Sequence, residues 1–241
     1  MERDELEQHL SRISTQWTMV LQAHGAEADV AHAALAELAQ RYLGVVYRYL
    51  LGAVRDPDAA AELSQELALR ILRGGFRHAD PSRGRFRDYL KTALIHLVDD
   101  YKTAQRARPR PLPPDVPAHP TPPIAEREAD FLESWRAELL NRTWTALAAA
   151  QPMYHAVLLF RVENPEVPSP QMAEELAARL GTPMRPDQVR KALQRSHAKF
   201  AELLVDEVAT SLGNPSREEL AEEVRELDLL KYCRSALERR T

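Results

Sequence analysis

Eight of the seventeen prolines, Pro109, Pro111, Pro113, Pro114, Pro117, Pro120, Pro122 and Pro123, fall in one short stretch. Proline holds φ at about −65° and lacks a backbone donor, so no helix can run through such a segment. The stretch predicts an extended, semi-rigid spacer, and at about 3.1 Å per residue residues 109–125 reach some tens of ångströms. The rest of the chain must therefore fold as separate pieces on either side, and no internal repeat relates them.

Outside this tract the sequence favours helix. Glycine is scarce, eight in 241 residues, while Ala, Leu, Glu and Arg dominate. No sustained strand-type alternation is present, so the fold class expected is all-α. Before the tract, helices are predicted over 29–53, from Asp56-Pro57 to Gly74-Gly75, and over 84–107, with a loop at "FRHADPSRG". Their inner faces are Leu35, Leu38, Tyr42, Val46 and Tyr49; Leu63, Leu67 and Ile71; and Phe86, Leu90, Ala93, Leu97, Tyr101 and Ala104. After it, helices are expected at about 127–149, 152–162, 170–180, 186–209 and 215–239. Ser169 is the expected cap of the third of these, with Pro170 at its first position, and Gly181 is expected to end it. A short turn then leads to a helix starting at Pro186-Asp187, which makes a helix-turn-helix pattern.

Several function classes fall away on composition. With 44% apolar residues the chain can bury a core, yet no apolar run approaches the length of a membrane span. The opening MERDELEQHL is charged and lacks the hydrophobic region of a signal peptide. Cys233 is the only cysteine, which excludes an internal disulfide and a cysteine-built metal site. A cytoplasmic protein without a membrane partner is expected. No HExxH or other histidine-ligand spacing and no phosphate-loop glycine pattern occur, so neither catalysis nor a cofactor nor a metal is expected. His96 sits at helical spacing on a mostly apolar helix and reads as a packing residue.

The net charge of −4 points to no nucleic-acid partner by itself. Local charge does. From Arg73 to Arg110 there are ten Lys/Arg against four Asp/Glu, and the cations Arg77, Arg83, Arg85, Arg87 and Lys91 alternate with Phe76, Phe86, Tyr89 and Tyr101. Phosphates need cations and unstacked bases need flat faces, so this mixture suits single-stranded DNA. Phe86 and Tyr101 fit the core stripe, which leaves Phe76 and Tyr89 as the rings expected at the surface. In the preceding helix Asp58, Glu62, Gln65 and Glu66, followed by Arg70, line the face opposite Leu63 and Leu67.

These segments, in this order, resemble bacterial sigma factors of the extracytoplasmic-function type, within the sigma-70 family. "AAELSQELALRIL" is similar to their region 2.2, and "GRFRDYLKTALIHLVDDYKTAQR" to regions 2.3 and 2.4, with Asp100 at a characteristic acidic position. "MAEELAARLG" with "QVRKALQRSHAKFAELL" resembles the region 4 helix-turn-helix, and the proline tract stands where the family has its linker. Glu62 occupies a position where Asp is usual, Ala192 one where Arg is common, and the turn between Gly181 and Val189 is about two residues longer than expected.

The resemblance implies a region 2 domain at 1–108, a linker at 109–125, a region 4 domain at 126–210 and a helical extension at 211–241. It implies binding to core RNA polymerase, at the β′ clamp and the β flap, and to promoter DNA, and it leaves room for an anti-sigma factor or other regulator. On this reading Asp58, Glu62, Gln65, Glu66 and Arg70 meet the polymerase. Phe76, Arg77, Arg83, Arg85, Arg87, Tyr89 and Lys91 meet and melt the minus-ten DNA. Gln188, Arg190, Lys191, Gln194, Arg195 and Lys199 meet the minus-thirty-five element. A stand-alone helix-turn-helix regulator and a helical adaptor without DNA binding remain open from the residues alone.

Overall fold

The computed structural model describes residues 28–72, 85–107, 122–213 and 215–240. Among these the chain is helical throughout, with nine helices and no strand: α1 Ala28–Val54, α2 Pro57–Leu72, α3 Phe86–Ala107, α4 Ile124–Ala150, α5 Pro152–Glu163, α6 Ser169–Leu180, α7 Pro186–Leu212, α8 Arg217–Glu226 and α9 Leu230–Arg239. The spacer expected at 109–125 lies mostly outside the described residues, as do the side chains of Leu35, Leu38 and Ile71. No described helix is long and apolar enough to cross a membrane.

Two compact units form. Of the described residues, one contains those up to Glu138 together with Ser211, Leu212, Gly213 and Pro215, and the other contains Leu139–Thr210 and those from Ser216 onward. The division falls inside α4, so residues 124–138, directly after the proline tract, belong to the first unit.

In the first unit, Asp56 caps α2 by accepting backbone hydrogen bonds from Asp58 (3.0 Å) and Ala59 (3.2 Å), ahead of Pro57. Leu63 and Leu67 of α2, Tyr42, Val46, Tyr49 and Leu50 of α1, and Phe86, Leu90, Leu94, Leu97 and Val98 of α3 are all buried, and the three helices pack against one another. The inner face of α3 is shorter than its periodicity predicts: Tyr101 is half-buried and Ala104 is exposed. His96, expected to pack, is also exposed. It follows Ile95 at the helical angle of about 100° that turns it out of the core.

The first half of α4 completes this core with aromatic side chains. Trp135 stacks on Tyr42 (centroids 5.3 Å, planes 19° apart), and Phe131 meets Tyr49 edge-on at 5.8 Å. Phe86 closes the group at 4.9 Å from Tyr42. Phe131 and Trp135 are almost wholly buried, and a buried aromatic removes about 150–250 Å² from water. At about 25 cal/mol per Å² such burial outweighs any single surface contact of the unit. Burial also pushes the Tyr49 phenol up to about 12 from 10.0, with Asp130 and Asp99 adding to the rise and Arg127 opposing it.

The second unit is built around Val157 and Phe160 of α5, Met172, Ala173 and Leu176 of α6, and Val189 and Ala192 of α7. Ala192 is thus a small side chain in a packed seam. Arg161 holds the α5–α6 connection by donating to the carbonyls of Pro165 (2.9 Å) and Val167 (2.7 Å). Gly181 ends α6 in the left-handed region at φ 66°. Ser169 does not cap α6. The cap position is Pro168, which makes no side-chain cap bond, and the carbonyl of Pro168 accepts the first helical bond from Met172.

The single helix expected at 215–239 is two. Ser216 and Glu219 form a reciprocal capping box at the start of α8. At its end Asp228 adopts φ 52°, with Leu229 N–H donating to Val224 and Asp228 N–H to Arg225. This is the Schellman arrangement, with Asp where Gly is usual. The turn lets Leu227, Leu229 and Cys233 all face inward, which one straight helix would prevent. Burial pushes the Cys233 thiol up to about 11, so it is protonated at neutral pH.

Two expectations follow. A left-handed conformation costs an L-residue about 1–2 kcal/mol, while the exposed Asp228–Lys231 pair (3.1 Å) returns less. Asp228→Gly should therefore raise the stability of the second unit by about 0.5–1 kcal/mol, read as a higher urea midpoint. The Tyr49 phenol has a folded pKa above its unfolded one. Its contribution is complete below pH 10 and is lost as pH rises through 12. Alkaline unfolding should accordingly begin at higher pH in Tyr49→Phe, which has no phenol to ionise.

Candidate nucleic-acid interface

The period of α2 brings Asp58, Glu62 and Glu66 into one row, with Gln65 and Arg70 beside it, and all five are exposed. Arg70 lies 2.7 Å from Glu66 and 3.6 Å from Asp100 of α3. The row is therefore an acidic ridge with one cation at its end, tied to the next helix through Asp100.

The start of α3 is organised differently. Phe76, Arg77 and Arg83 lie outside the described residues. Of the remaining four, Arg85 and Tyr89 are half-exposed on one side of the helix, while Arg87 and Lys91 share another. Burial raises the Tyr89 phenol. Arg87 is only 3% exposed, and Lys91 lies 3.6 Å from Asp88 and 3.1 Å from Glu128 of α4. The structure thus groups these residues as two pairs, one facing outward and one drawn toward the unit.

In the second unit the polar residues at the start of α7 lie together. Arg190, Lys191, Gln194 and Arg195 are all exposed and occupy adjacent positions at one- and four-residue separations on α7. Val189, Ala192, Ser196 and Phe200 are buried on the opposite side. Gln188 is exposed and caps the helix, its side-chain oxygen accepting from the Arg185 N–H at 2.8 Å. Lys199, partly exposed, lies 3.4 Å from Glu202.

Sequence reasoning passed over two features here. Arg185, whose side chain is 76% exposed, adds a cation at the turn; its place just before Pro186 was the available signal. A cavity of about 560 Å³ opens beside the turn, lined by Met153, Leu180, Pro183 and Met184 with Lys191 and Arg195 at its polar side. It joins residues of α5, α6 and α7 that no linear motif connects. Among the described residues no group of His, Cys, Asp and Glu is arranged to hold a metal ion.

The first unit thus carries an acidic ridge and a basic, aromatic helix start, and the second carries an exposed basic stripe on α7. Residues 38–108 match the family model of sigma-70 region 2, covering α2, α3 and most of α1. The match makes this part of the chain similar to sigma-70 region 2. No curated protein and no solved structure matches the chain.

Because the ridge residues are exposed, their charges contribute little to folding. Glu62→Gln and Glu66→Gln should each leave the thermal midpoint within what about 0.5 kcal/mol would move. Asp58→Asn should cost up to about 1 kcal/mol, because Asp58 stands in the first turn of α2 beside its unsatisfied N–H groups. Calorimetry of the full chain measures all three.

Proposed function

We propose that this chain is a sigma factor of the extracytoplasmic-function type, which binds core RNA polymerase and directs it to promoters in the cytoplasm. The observation that carries the reading is the region 2 match over 38–108, with its exposed acidic ridge, on the same chain as a helix-turn-helix presenting Arg190, Lys191, Gln194 and Arg195 together. The ridge of Asp58, Glu62, Gln65, Glu66 and Arg70 is assigned to the β′ clamp. Charges arrayed along one helix face suit a complementary basic surface and set both encounter and register.

The α7 stripe is assigned to the minus-thirty-five element. Residues early in a recognition helix reach base edges, while later cations hold phosphates. That places Arg190 and Gln194 among the readers and Lys199 among the phosphate contacts. The apolar cavity beside the turn supports a contact with the β flap, since it can receive a nonpolar side chain next to cations. The outward pair Arg85 and Tyr89, with Phe76, Arg77 and Arg83 before them, is assigned to the opened minus-ten strand, where ring stacking on an unpaired base offsets part of the cost of melting; Lys91, whose side chain keeps 18% exposure beside Glu128, is assigned to a phosphate of the same strand.

Pull-down with core polymerase followed by promoter-dependent run-off transcription tests the reading. Glu66→Lys should weaken core binding about thirtyfold or more, because reversing one partner of a buried interfacial pair costs about 2–5 kcal/mol. Arg190→Ala should alter which upstream sequences are used, by about 1–3 kcal/mol of discrimination. Lys199→Ala should weaken all sequences alike and flatten the salt dependence by about one phosphate contact. Failure of the parent chain to bind core polymerase would overturn the assignment and leave a stand-alone DNA-binding regulator.

A further inference from the structure

The first turns of α4 bring a carboxylate to a cation on α3. Phe131 and Trp135 seat α4 in the aromatic core of the first unit. Arg127, one turn earlier, donates to Asp99 of α3 at 2.7 Å, and its side chain is only 11% exposed. With the helix held at both points, the backbone of Glu128 is fixed beside α3 while its side chain stays 43% exposed. Its carboxylate stands 3.1 Å from the Lys91 ammonium. Asp88, on the same helix as Lys91, faces that ammonium at 3.6 Å.

We infer that Glu128 is an autoinhibitory phosphate mimic, an internal carboxylate that occupies Lys91 until a DNA phosphate displaces it. The inference rests on the assignment of Lys91 to the minus-ten DNA surface. Lys91 carries one ammonium, and an acidic oxygen at hydrogen-bonding distance fills the position a phosphate oxygen would take. The Glu128 side chain is 43% exposed, so it can swing into solvent without disturbing Phe131 or Trp135. Displacement therefore needs a side-chain rotation and not the release of α4. The exchange also accounts for a half-buried lysine in a basic segment being paired with acids from two helices.

The test measures binding of the full chain, assembled with core RNA polymerase, to a fluorescent oligothymidine by anisotropy at about 0.1 M salt. Glu128→Gln keeps the shape and removes the charge, and should tighten binding about two- to fivefold, the range of an exposed ion pair. Glu128→Asp, which keeps the charge, should show a smaller gain. Lys91→Gln should weaken binding, and Glu128→Gln should add nothing in that background. If Lys91→Gln leaves binding unchanged, the DNA assignment of Lys91 fails and this inference falls with it. If Lys91→Gln weakens binding but Glu128→Gln weakens it too, the DNA assignment stands and Glu128 positions Lys91 instead, which overturns the inference. An equal gain from Glu128→Gln with and without Lys91 also overturns it, since that result is general charge repulsion. Circular dichroism melts of each variant separate these effects from unfolding.

Discussion

The stacking of Trp135 on Tyr42 is the contact on which the first unit depends. It joins α4 to α1 across the proline tract, and Phe131, Tyr49 and Phe86 extend it into a group of rings drawn from three helices. Phe86 belongs to the first turn of α3, so the same group sets the rotation of that helix. With Phe86 turned inward, helical geometry directs Arg85 and Tyr89 to one side and Arg87 and Lys91 to another. The placement of the charged residues is thus a consequence of aromatic packing. Gly44 accommodates the other end of the seated segment: a Cβ there would approach the Glu138 carboxylate to within 3 Å, and that carboxylate lies 3.5 Å from Arg48.

The charged surfaces arise in two ways. On α2 and α7 they follow from the period of one exposed helix face, with the apolar residues of the opposite face supplying the core. No partner element is needed to bring Glu62 beside Glu66 or Arg190 beside Gln194. On α3 the cations lie on a helix surrounded by neighbours, and Glu128 and Asp88 compete for one of them. The α3 cation Lys91 is thus balanced internally, whereas the α7 stripe stays open to solvent.

The C-terminal helices extend the second unit through both burial and charge. Leu220, Val224, Leu227, Leu229 and Cys233 are buried, and Arg240 reaches Asp206 of α7 at 2.7 Å while Arg239 lies 3.7 Å from Glu202. Helix α7 is therefore braced along its later turns by the extension, while the basic side chains of its first turns remain exposed.

Much of this was legible from residue order. Proline and glycine placement, helix periodicity and the Asp56-Pro57 start are local properties, and each helix through α7 lies within a few residues of its expected span. The α8–α9 break carried a signal that periodicity overrode: Ser216 and Glu219 have capping-box spacing, but Asp228 at a glycine-type position conceals the turn. The sequence by itself determined the all-α class, the interrupted chain, the acidic ridge and the basic stripe, because those depend on neighbours within about four residues. Only the tertiary structure decided that α4 begins in the first unit, that Arg87 is buried, that Ala104 and His96 are exposed, and that Lys91 faces Glu128. Those outcomes depend on which rings find each other across long separations, and a helical period records that a face is apolar without recording what will cover it.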